Sequence, residues 1–186
     1  MPRILFVAVL LALSPIAHAR TIEGVELPES VTARDGTALQ LHGAGIRTKF
    51  FFDIYVGALY LTSTGQALDT IMASDQPARI EMHFVYDEVE AEKLESAWRE
   101  GFADNNDREV LDTVEPQLEN FVRMFPTAVE GDMFAMEYIP GQGTRVTING
   151  EAAGTVAGDV FFNALLGVFL GPEPADDDLK EGMLGQ

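Results

Sequence analysis

The sequence predicts an α+β domain, an antiparallel sheet covered by helices on one face, and three observations predict it. Apolar and polar residues alternate in several separate stretches, as half-buried strands require. Two stretches between them keep helical spacing instead. The order is strands, a helical pair, strands and a helix, which suits one sheet layered with helices. With 186 residues, 47% of them hydrophobic, and charges of both signs, the chain has the makings of one folded domain with a sizeable core.

The first residues have another purpose. Arg3 is followed by an apolar run, Ile4 to Leu13, a break at Ser14-Pro15, and the small-x-small site Ala17-His18-Ala19. This is the pattern of a signal peptide, so residues 1–19 are expected to be cleaved and 20–186 to form the mature domain. A spanning helix needs about 20 apolar residues, and this run stops short of that. The expectation is a periplasmic or secreted protein, soluble and without stable membrane insertion after cleavage.

Thr21 to Leu27 reads as a short strand ended by Pro28, and Asp35-Gly36 as a turn. A long β-like stretch runs from Leu39 to Thr62, broken by Gly43 and Gly45. In it Ile46, Phe50, Phe52, Ile54 and Val56 share one parity, and Arg47, Lys49, Asp53 and Tyr55 the other. Residues 66–73 read as a short helix. From Ala78 to Tyr86 the alternation is cleaner, with Ile80, Met82, Phe84 and Tyr86 on one side.

Leu94, Ala97, Trp98 and Phe102 then mark one helix, and the stripe from Leu111 to Phe125 a second, with a kink or fresh start expected at Pro116. Met133 to Ile139 is a strand. Residues 144–148 and 151–155 form a hairpin, because Asn149-Gly150 supplies the positive φ angles of a tight turn. Val160 to Leu170 closes the core, and Gly171-Pro172 is expected to stop it through a left-handed glycine cap. The residues after Asp176-Asp177-Asp178 read as a solvated helical tail, its acids suited to a helix N-terminus.

Composition excludes several chemistries. There is no cysteine, hence no disulfide and no thiol nucleophile. The net charge of −18, one unit more negative once Arg3 is gone, opposes nucleic acid and anionic lipid. It serves solubility, adaptation to salt, or a cationic partner. His42 and His83 lack metal-ligand neighbours, and Asp104 to Asp107 lacks the later glycine and glutamate of a calcium loop. Gly43-Ala44-Gly45 has Thr48 where a dinucleotide fingerprint has its third glycine, and no Gly-x-Ser-x-Gly elbow exists. Neither a metal nor a cofactor is expected.

Arg47 stands out. It lies beside Lys49 and the run Phe50-Phe51-Phe52 in a chain with few cations. A guanidinium against apolar walls is a receptor for a carboxylate or phenolate; the other reading is a surface arginine paired with a nearby acid. Tyr86 ends an otherwise apolar strand face, so its hydroxyl needs a partner. Tyr55 shares parity with Arg47, but eight extended residues span about 26 Å, so the two meet only if the chain turns or bulges between Lys49 and Asp53.

The stretch Gly45 to Leu61, Phe84 to Phe102 with Trp98, the Asn149-Gly150 hairpin, and Asn163-Ala-Leu-Leu ending at Leu170-Gly171-Pro172 together resemble the chalcone isomerase-like family, in its bacterial exported branch. The resemblance implies an open-faced β-sandwich, a curved antiparallel sheet with a ligand cleft between sheet and helices. The family includes plant enzymes that close a chalcone into a flavanone, plastid fatty-acid-binding proteins, and members without known catalysis. Its ligand-contacting arginine and tyrosine correspond to Arg47 and Tyr86. Tyr55 stands where the plant enzymes carry a threonine, Val89 and Lys93 where they carry a lysine and an asparagine, and Phe162 or a neighbour where they carry a late threonine or serine.

Three readings follow. One is a non-catalytic protein holding a small apolar carboxylate, such as a fatty acid, through Arg47, Tyr86 and Tyr55. Another is an isomerase, an intramolecular lyase acting on a chalcone-like enone. The third is an accessory envelope protein whose cleft is closed by large side chains.

Overall fold

The computed structural model describes residues 19–186, so the expected signal peptide lies, but for Ala19, outside the described residues. A hairpin of β1 (Ala19–Ile22) and β2 (Val25–Pro28) opens them. Glu23 and Gly24 make its turn with φ 46 and 76, so the single strand expected over Thr21 to Leu27 is two.

The main sheet has seven strands. They are β3 (Ser30–Thr32), β4 (Ala38–Lys49), β5 (Phe52–Leu61), β6 (Ala78–Phe84), β9 (Met133–Ile139), β10 (Gly143–Ile148) and β11 (Glu151–Val156). Their spatial order is β11-β10-β9-β6-β5-β4-β3, every neighbour antiparallel. A separate pair, β7 (Glu88–Val89) and β8 (Ala128–Val129), lies beside it.

The helices are α1 (Leu68–Met72), α2 (Ala91–Asn105), α3 (Arg108–Val122), α4 (Asp159–Leu170) and α5 (Asp177–Met183). They share one core with the inner face of the sheet, where Phe84, Trp98, Phe121, Phe134 and Phe161 interlock. The fold is the expected α+β open-faced sandwich. Pro116 starts no new helix: α3 is capped at Asp107 and runs through the proline, which lies on its exposed side. There the carbonyl it displaces can turn to water.

The outer face is partly covered too. Leu27 and Leu39 pack against Val56, Ala58 and Tyr60 in a second, smaller core. Hence β5 is buried on both faces from Ile54 onward, and its alternation is lost.

Gly43 and Gly45 do not break the long stretch. Strand β4 passes straight through both, and the chain turns instead at Phe50-Phe51. The glycines serve α5, which lies directly on them. A Cβ at Gly43 would meet the Gly182 carbonyl oxygen at 2.4 Å, and one at Gly182 would meet the Gly45 Cα at 2.5 Å. The acidic segment is therefore no solvated tail, because Leu179 and Met183 bury it.

Gly171 also differs from expectation. Its φ of −71 and ψ of −174 are extended, so no left-handed cap forms. Glycine is required by proximity: a Cβ there would lie 2.3 Å from Asn105 Oδ1 and 2.5 Å from the Gly167 carbonyl oxygen. Asn105 Nδ2 donates to the carbonyls of Gly101 and Glu173, so it cannot swing away without losing both bonds. Gly171→Ala is expected to cost about 2 kcal/mol, measured as a lower urea midpoint at unchanged slope.

Candidate functional site

The Phe50-Phe51 turn decides the site. It sets Lys49 opposite Phe52 and Thr48 opposite Asp53. The register then shifts, leaving Ile54 as an extra bulged residue, and Arg47 faces Tyr55 across the strands. Turn and bulge together bring these two side chains together, the condition that parity alone could not satisfy. The Arg47 guanidinium carbon stands 5.8 Å from the centre of the Tyr55 ring.

Above this pair is a cleft of ≈ 700 Å³ between the sheet and α2. Arg47, Ile54, Tyr55 and Met82 contribute its sheet side, Leu94, Ala97 and Trp98 its helix side, and Val168 with Pro174-Ala175 its far wall. Phe50, Phe52 and Tyr86 also line it. The size and the mostly apolar walls are those of a small-molecule site.

Arg47 is half-buried, and its Nε is enclosed without an acceptor. Among the described residues no carboxylate forms an ion pair with it. The paired-surface reading of Arg47 is thus set aside, and its guanidinium faces a mostly apolar cleft without an ion-pair partner among the described residues. The nearby Asp176 is engaged elsewhere. Its Oδ1 accepts from the Leu179 backbone N–H at 2.9 Å and its Oδ2 from that of Thr48 at 3.1 Å, fastening α5 to β4 beside the site.

Tyr55 is 2% exposed. Burial pushes its hydroxyl up to about 12, with Arg47 opposing the shift and Asp176 adding to it. The phenol therefore stays neutral at ordinary pH and can donate a hydrogen bond. Tyr86 lies just beyond β6, where its backbone N–H and that of Val85 both donate to the Ile54 carbonyl. Its ring meets Phe52 edge-on at 5.5 Å, so it is half-buried at the cleft.

All three expected site residues line one cleft. Val89 and Lys93 line it as well, Lys93 paired with Glu90 at 2.8 Å. Phe162 does not: it stacks on Tyr138 at 4.6 Å, and the cleft residue of α4 is Val168. The sequence reading missed Ile54, Val168 and Asp176. Only Asp176 left a signal, a capping acid three residues before Leu179.

The histidines stay apart from the site. His83 pairs with Glu81 at 2.9 Å on the outer sheet face. His42 is the bulged residue between Leu41 and Gly43, with both ring nitrogens enclosed and unpartnered. Burial lowers its pKa, so the unfolded chain binds its proton more readily than the folded one. The stability this gives is present above the unfolded value of about 6.5 and is lost as pH falls through it. Melting temperature should therefore drop from about pH 7.5 to about pH 5.5, and drop less in His42→Gln. Among the described residues no group of three potential ligands could hold a metal ion.

The family described as chalcone isomerase-like matches residues 19–185. The chain belongs to the chalcone isomerase-like family. Among solved structures, this family member is similar to a fatty-acid binding protein of Arabidopsis thaliana, with a TM-score of 0.64 and 18% identity. The match covers 84% of this chain and 96% of the plant protein. At that identity the likeness is one of fold. No curated protein matches the chain.

Proposed function

We propose that the protein binds a small apolar carboxylate, such as a fatty acid, and performs no chemistry on it. The observation that carries this reading is an arginine with an enclosed, unpartnered Nε and no ion pair among the described residues, facing a mostly apolar cleft of ≈ 700 Å³. A carboxylate there gains a charge-assisted hydrogen bond from Arg47, while its chain is buried among Ile54, Met82, Leu94 and Trp98. Tyr55 and Tyr86 would supply hydroxyl donors. Family membership and the fold of a fatty-acid binding protein support the same reading.

The cleft beside Arg47 removes the main argument for a closed accessory protein. For an isomerase, Arg47 could hold developing oxyanion charge, yet the Tyr55 hydroxyl, held near 12, makes a poor base at neutral pH.

Trp98 lines the cleft and is the single tryptophan, so its emission reports on occupancy. Titration with a long-chain fatty acid should shift that emission saturably, and the acid should remain bound in native mass spectrometry. A protein that takes up no fatty acid by either method would sink the reading. Glu88, Glu100, Asp104 and Glu173 line the same cleft, and the chain is strongly acidic. Added salt should screen that repulsion and raise the association rate of an anionic ligand several-fold, checked by stopped-flow.

Export is part of the proposal. It rests on Arg3, the run Ile4 to Leu13 and the site at Ala17 to Ala19, and predicts a mature N-terminus at Arg20 when the exported protein is sequenced.

A further inference from the structure

We propose that the β4–β5 hairpin tip docks the protein onto a zwitterionic lipid bilayer. Phe50, Phe51 and Phe52 are 83%, 95% and 56% exposed. Among the described residues the other exposed large hydrophobics are Val129 and Val160, at 43% and 41%. Apolar exposure is therefore concentrated at one projecting point. Phe52 is steadied by Tyr86, and Phe50 and Phe51 form the two-residue turn beyond it.

The turn itself argues against a packing role. Phe50 has a φ of 61, a conformation that favours glycine and strains a bulky side chain. A phenylalanine held there, and left mostly in water, repays the protein with little internal contact. An outside partner accounts for it better.

Charge and shape choose that partner. A second copy carries the same net charge of −18 and is repelled. Three residues at a point also fall far below the roughly 800 Å² per side of a stable protein interface. A fluid hydrocarbon layer needs no matching pocket, because it closes around any apolar projection, and aromatic rings suit its boundary with water. Lys49 is exposed on the flank of the tip, placed for a lipid phosphate. Asp53, opposite Thr48 in the hairpin, accepts a hydrogen bond from Thr48 Oγ1 at 2.8 Å. The charge of the whole chain opposes an anionic surface, which leaves a zwitterionic one.

Phe50 and Phe52 also line the cleft, so docking would set it against acyl chains. That consequence rests on the ligand reading, whereas the docking does not. Flotation with phosphatidylcholine vesicles tests it, comparing the protein with Phe51→Ser, which is outside the cleft lining, and with Phe50→Gly, which relaxes the turn. The protein should float, Phe51→Ser should bind about tenfold more weakly or worse, and phosphatidylglycerol in the vesicles should weaken binding. Failure to float, or flotation of both variants equal to that of the unmodified protein, overturns the proposal. So does a lipid-free dimer, seen by sedimentation, that Phe51→Ser disperses. Fatty-acid affinity of Phe51→Ser should be unchanged, so that loss of docking and loss of ligand binding are told apart.

Discussion

Arg47→Ala is expected to weaken fatty-acid binding by about 10- to 100-fold while leaving the protein folded. The magnitude is that of one hydrogen bond to a charged group, about 1.5–3 kcal/mol, lost from a half-buried site. The specificity of the test comes from what Arg47 does not touch. No acid of the described residues depends on it, so its removal orphans no charge. Its contact with the Tyr55 face accounts for about 1 kcal/mol at most, and losing an enclosed, unpartnered Nε offsets part of that. Melting temperature should therefore move little. Arg47→Lys should recover part of the affinity, since it keeps charge but not the planar fork. An Arg47→Ala protein that binds as tightly as the original would show that the carboxylate is held elsewhere.

Gly43→Ala should have the opposite signature, a large loss of stability. The new Cβ would meet the Gly182 oxygen at 2.4 Å, the Met183 oxygen at 2.5 Å and the Gly185 nitrogen at 2.7 Å. All three are backbone atoms, so no side chain can rotate out of the way. Helix α5 must lift, uncovering Leu179 and Met183, both 0% exposed. About 3 kcal/mol is expected, read from urea unfolding. Hydrogen exchange should show the loss first in residues 177–185. A variant as stable as the original would mean that α5 does not lie on β4.

The sequence spoke most clearly where one face of an element meets water. Residues 78–84 alternate because the inner face of β6 is core and the outer face carries Arg79, Glu81 and His83. The late hairpin was legible because Asn149 and Gly150 take φ 52 and 83, as their residue types favour. The β4–β5 hairpin was not, since its turn is made by phenylalanines and β5 is buried on both faces. Gly43 and Gly45 looked like interruptions because close backbone approach and a break use the same residue. In α5 the acids hid the two anchors, Leu179 and Met183. Arg47 and Tyr86 could be found by chemistry and position, but Tyr55 joined them only through a bulge that no residue type announces.

The bond from Thr48 to Asp176 joins residues 128 apart in the chain. Closing so long a loop is slow relative to forming a local hairpin, and its contacts repay the entropy only once made. In chain order Asp176 to Met183 follow every strand of the sheet they fasten. The support that α5 gives β4 beside Arg47 must therefore be missing from any nascent form of the chain that stops before Asp176. The fastening beside Arg47 is thus completed late in folding, and a chain truncated before Asp176 would lack it however well the rest had folded.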